Sequence, residues 1–141
     1  MLERAIQIAV QAHAGQKDRA EQPYILHPLR IMFALSTETE QICGVLHDVV
    51  EDTDYTFDKL RSEGFSEEVI EALEQLTKRK EEPYDDYITR VLTNPLAIKV
   101  KTADLNDNMH LSRLNKITAK DIENMQKYER ALERIQAYLL G

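Results

Sequence analysis

A chain of 141 residues has room for one domain with one hydrophobic core, taken as residues 1–141. Its formal charge of −7 argues against a nucleic-acid partner, which would need basic patches, and no apolar run is long enough to span a membrane. The one cysteine, Cys43, has no partner for a disulfide, which suits a reducing cytoplasm, and the helical pattern starting at Met1 leaves no signal peptide.

Leu2, Ala5, Ile6, Val10 and Ala14 recur at helical spacing, and Gly15 ends the run. His13 in its last turn reads as a capping or packing residue rather than a ligand. Residues 16–22 form a polar loop carrying Lys17 and Arg19. Pro28 pushes His27 out of α geometry and suits the first turn of a helix running to about Leu35, so His27 stands at the mouth of that helix. It either caps the helix or is presented from a rigid loop as a free imidazole.

The next helix, about Glu38 to Val50, opens into the most informative stretch of the chain. Ile42, Cys43, Leu46, Val49 and Val50 fall on one side, and His47, Asp48, Glu51 and Asp52 on the other. Like charges this close repel unless some are protonated or a cation sits among them, and a divalent metal favours this imidazole and carboxylate set. A plain acidic, solvated face is the other reading of the same residues.

Thr56 and Ser66 read as N-caps of two further helices, the second with a core face of Val69, Ile70, Leu73 and Leu76. After a charged loop, residues 78–83, a short helix spans Tyr84 to Leu92. Asn94-Pro95 starts another, expected to reach about Leu114. On it Lys101, Asp104, Asn108 and Ser112 form one polar stripe between two apolar bands, as on a helix buried along both flanks with its polar line facing a pocket. A carboxylate there needs a partner, either a metal or Lys101 at i, i+3. Thr118 caps the last helix, to about Leu139, with Asp121 in capping-box position. No strand alternation, repeat or linker interrupts this all-α pattern.

His27, His47-Asp48 and Asp104 thus stand in the order H…HD…D, and longer motifs surround them: AHAGQ (residues 12–16), PYILHPL (23–29), LHDVVEDT (46–53) and KTADLNDNM (101–109). On these motifs the chain resembles the hydrolase domain of the RelA/SpoT family, HD-domain metal-dependent phosphohydrolases. The nearest members by size are the stand-alone small alarmone hydrolases. The resemblance implies a compact multi-helix HD bundle and hydrolysis of the 3′-pyrophosphate of ppGpp and pppGpp with a divalent metal, usually Mn²⁺. It implies His27, His47, Asp48 and Asp104 as metal ligands, and Glu51 and Asp52 as the pair that orients the attacking water. Asn108, Arg19 and Tyr128 match positions near the substrate, and Lys17 is a further cation available to its phosphates. Two positions depart from the family. Asp18 stands where many members pack an arginine on the guanine base, and Leu111 replaces a hydroxyl residue. They keep open another nucleotide or NADPH as substrate, or a metal- and nucleotide-binding module without turnover.

Overall fold

The computed structural model describes residues 1–141. Nine α-helices and one 3₁₀ turn make an all-α fold: α1 Leu2–Ala12, α2 Leu26–Ala34, α3 Glu38–Leu46, α4 Val49–Asp52, α5 Phe57–Ser62, α6 Glu67–Leu76, α7 Tyr84–Val91, α8 Pro95–Asn108, the turn Leu111–Arg113, and α9 Ala119–Leu140. The one β feature is an isolated bridge between Lys17 and Pro23. No helix is long and apolar enough to cross a membrane.

Most helix starts follow from their caps. The side chains of Thr56, Ser66, Asn94 and Thr118 each accept the backbone amide three residues on, a contribution of about 1 kcal/mol each. Thr37 does the same for α3 and completes a capping box with Glu40.

Helix α3 is the centre of the packing, touching α1, α2, α6 and α8. Residues 42–46 are all buried, so this helix is apolar around its whole circumference. Gly44 is the point of closest approach to α2. A Cβ there would lie 2.7 Å from Leu35 Cδ1 and 3.1 Å from Ile31 Cγ2. The missing side chain lets the helix carrying His27 lie tight against the helix that ends at His47. Helix α8 lies against α2, α3 and α6. It buries Ile98, Val100 and Leu105 together with Lys101 and Asp104 of the expected stripe, and also Asp107, which lies outside it, while Asn108 of the stripe is exposed.

Three boundaries differ from expectation, each for a local reason. The helix expected from Glu38 to Val50 stops at Leu46 and resumes as α4, with His47 and Asp48 at the break. His47 Nδ1 bonds the Gly44 carbonyl at 2.7 Å, the acceptor an unbroken helix would give to the Asp48 amide. Helix α2 starts at Leu26, ahead of Pro28, so His27 lies inside its first turn. Amide bonds from Leu26 to Pro23 (3.1 Å) and His27 to Tyr24 (3.0 Å) wind that turn early. Pro28 costs nothing there, because the first amides of a helix have no internal partner. Helix α8 ends at Asn108, where Arg113 folds back on the Asp107 carbonyl at 2.5 Å, so Ser112 leaves the stripe.

Candidate metal centre and active site

Three parts of the fold deliver the four expected ligands to one place. The first turn of α2 supplies His27, the break between α3 and α4 supplies His47 and Asp48, and the middle of α8 supplies Asp104. His27 Nε2 lies 2.9 Å from Asp104 Oδ1 and 3.8 Å from Asp48 Oδ2. His47 Nε2 lies 2.9 Å from Asp48 Oδ2 and 3.5 Å from Asp104 Oδ1. Both histidines and Asp104 are buried.

The imidazoles are oriented through their far nitrogens. His27 Nδ1 meets Asp107 Oδ2 at 2.6 Å, and His47 Nδ1 meets the Gly44 carbonyl at 2.7 Å. With Nδ1 the donor in each ring, both Nε2 atoms present a lone pair to the carboxylates. His47 Nε2 is buried and makes no hydrogen bond despite its closeness to Asp48. Two donor atoms converging without a shared proton leave a place for a cation. Metal-ligating histidines characteristically give their other nitrogen to a carboxylate or a carbonyl, as both do here. The nitrogen and oxygen donor set suits a borderline divalent ion, and His27, His47 and Asp104 can contact one ion together. The residues present therefore fit a metal.

Around this centre the charges are tightly matched. Lys101, also buried, bonds Asp104 Oδ2 at 2.8 Å, and Asn108 bonds Asp104 Oδ1 at 3.1 Å. Lys101 thus takes one oxygen of the carboxylate, so the Lys101 pairing and a metal, alternatives in the sequence, would not exclude each other. Despite its burial, Asp104 is held well below the usual carboxylate range, chiefly by the charge of Lys101. Tyr24 donates its hydroxyl to Asp48 and stacks between His13 and His27. His13 is buried, caps α1 and bonds Gln16 at 2.9 Å.

Tyr24, His27, Asp48, Lys101 and Asp104 line a cleft of about 550 Å³, and Glu51 and Asp52 of α4 line it too. Glu51 accepts the Lys78 amide at 2.7 Å. Desolvation raises the carboxyl pKa of both residues, and the charge of Asp48 pushes the same way.

Lys17, Arg19, Asn108 and Tyr128 also line the cleft. Arg19 does not present a free charge, because it is held in a two-pronged pair with Asp121 at 3.0 and 2.6 Å. Asp18 accepts the amides of Ala20 (2.8 Å) and Gln22 (2.9 Å), so its carboxylate ties the loop together. Sequence reasoning missed Asp107, Tyr24 and Lys127. For Asp107 a signal was present: it lies at i, i+3 from Asp104, on the same side of α8. Lys127 and Tyr84 meet only across the fold.

The helical architecture is that of the all-α HD-domain fold. Within that class the chain resembles the hydrolase part of RelA/SpoT proteins, and its homologues bear this out. It is 34% identical over 126 residues, 80% of this chain, to a probable GTP pyrophosphokinase of Mycobacterium leprae. It is 32% identical over 120 residues, 77% of this chain, to a guanosine-3′,5′-bis(diphosphate) 3′-pyrophosphohydrolase of Aquifex aeolicus. The chain spans only 16% and 17% of the length of these two relatives. Its fold matches that of a metazoan SpoT orthologue that hydrolyses ppGpp, with a TM-score of 0.76, 21% identity, and coverage of 95% of this chain and 84% of the other. No family model matches the chain.

Proposed function

We propose that this protein is a metal-dependent hydrolase of guanosine alarmones, converting ppGpp and pppGpp to GDP and GTP with release of pyrophosphate. The observation that carries this reading is the pair of imidazoles fixed through Nδ1, with both Nε2 atoms turned to Asp48 and Asp104 at a cleft also lined by Glu51 and Asp52. His27, His47, Asp48 and Asp104 would hold the ion, with Mn²⁺ as the proposed metal. Such an ion polarises a phosphoryl group and lowers the pKa of water.

The remaining chemistry falls to the chain. Glu51, with its raised pKa, accepts a proton from the attacking water, and Asp52 orients that water. The water oxygen bonds to the phosphorus on O3′, and the P–O3′ bond breaks with its electron pair going to O3′. The proton that Glu51 took from the water passes to O3′, directly or through solvent, so that a 3′-hydroxyl and pyrophosphate are released. Lys17 serves the phosphates, Asn108 the sugar–phosphate region and Tyr128 the nucleotide. Arg19 serves the phosphates only by leaving Asp121. The partner is a small anionic nucleotide, and Cys43 as a free, buried thiol suits the cytoplasm. Another nucleotide or NADPH is the second reading. It draws on Asp18, whose carboxylate bonds its own loop and supplies no cation for a guanine ring.

The test is turnover of ppGpp, pppGpp, NADPH and common nucleotides with added Mn²⁺, assaying pyrophosphate and orthophosphate separately. Pyrophosphate from the alarmones, lost on chelation and restored by Mn²⁺, is expected. Orthophosphate as the sole product, or turnover undiminished by exhaustive chelation, would overturn the reading.

A further inference from the structure

Most cations of the cleft already have a carboxylate. Arg19 pairs with Asp121, Arg30 and Arg113 with Asp107, and Lys101 with Asp104. Lys127, on α9, has none. Its half-buried ammonium lies 4.6 Å over the Tyr84 ring and 5.5 Å from the centre of the Tyr128 ring. Ring faces attract a cation more weakly than a carboxylate does. Burial, with Lys120, Lys101 and Lys78 nearby, lowers its pKa from the ordinary lysine value. The Tyr84 hydroxyl is also buried and has no hydrogen-bond partner. The opposite charge nearby, Glu123, is paired with Lys120 at 3.6 Å. An ammonium half out of water, with three lysines around it and no carboxylate of its own, can receive an anion.

Lys127 is not paired with the carboxylates of the reacting centre. Lys101 holds Asp104 at 2.8 Å and lies 5.8 Å from the Tyr84 ring centre, and Lys127 lies over that same ring with its charge unengaged. With the phosphorus under attack placed at Asp48 and Asp104, an anion at Lys127 is a second phosphate group of the same molecule.

We infer that Lys127, held by Tyr84 and Tyr128, is a phosphate-binding subsite that takes the 5′-diphosphate of the substrate, the arm that is not cleaved. This rests on the nucleotide reading above. It makes Lys127 a specificity residue that selects molecules phosphorylated at two separated positions.

The experiment is calorimetric titration of wild type, Lys127→Gln and Lys127→Arg with GDP and with guanosine, the helical content being checked by circular dichroism. Loss of a charge-assisted phosphate contact should weaken GDP about tenfold or more in Lys127→Gln and leave guanosine unchanged, while Lys127→Arg stays close to wild type. GDP binding equal to wild type in Lys127→Gln overturns the inference. If wild type turns over ppGpp yet GDP binding ignores Lys127, the inference falls alone. If GDP binding depends on Lys127 but no alarmone is turned over, the subsite stands and the hydrolase reading falls.

Discussion

Asp107 Oδ2 stands 2.6 Å from His27 Nδ1, while Arg30 grips the same carboxylate at 2.8 and 3.0 Å. A residue outside the ligand set thereby fixes the tautomer and the aim of a ligand. Replacing Asp107 by Asn should weaken metal binding by about 10–100-fold, the usual cost of losing such a partner. Titration of the metal-free protein with Mn²⁺ would measure it, and unchanged affinity would leave Asp107 a purely structural anchor for Arg30.

Asp48→Ala and Asp104→Ala should both abolish metal-dependent turnover, yet differ in stability. Asp104→Ala leaves Lys101 buried without its partner, at a cost of about 3–5 kcal/mol. Asp48 has no such buried lysine. Thermal denaturation of the two metal-free variants should therefore show a much larger loss for Asp104→Ala.

Glu51→Gln should keep the metal and slow turnover by about 10²–10⁴. Metal analysis of the purified variant decides between roles. Loss of the ion would make Glu51 a ligand rather than a proton acceptor.

Cys43 is buried on α3, and burial pushes its thiol up to about 12. The unfolded thiol titrates near about 8.5. Folding thus excludes the thiolate. Stability from this group is intact below about 8.5 and declines as pH rises from there toward 12. In native protein at pH 8 Cys43 should not react with a thiol reagent, and it should react promptly in denaturant. Fast native reaction would show that α3 opens locally.

Gly44→Val should destabilise the fold by about 1–3 kcal/mol through overpacking against Ile31 and Leu35. Chemical denaturation gives the value. Unaltered stability would mean that α2 shifts freely, and then metal affinity should suffer instead.

Much of this was legible in the sequence because helices announce themselves locally. Asn94-Pro95 and Thr118 with Asp121 started helices where expected, since a cap and its amide lie within one turn. His47, Asp48, Glu51 and Asp52 stood out because like charges crowd there without a neutralising cation, and the H…HD…D motifs joined His27 and Asp104 to them as expected ligands. Period counting failed where a side chain competes with the backbone. It ran a helix through His47 because it cannot see the ring take the Gly44 carbonyl. It ran α8 past Asn108 because it cannot see Arg113 fold back. It offered no way to know that Arg19 would be taken by Asp121, 102 residues away, or that Lys127 would come to rest over Tyr84.

The proposed ligands come from residues 27, 47, 48 and 104, so no short fragment contains the centre. The unfolded chain scatters these groups, and an ion that binds only their assembled form pulls on the folding equilibrium of α2, α3, α4 and α8 at once. At a free metal concentration of a hundred times its dissociation constant, that pull is about 2.7 kcal/mol. The melting temperature should then climb with the logarithm of metal concentration, and the cell's metal supply would set how much of this protein stays folded as well as how fast it works.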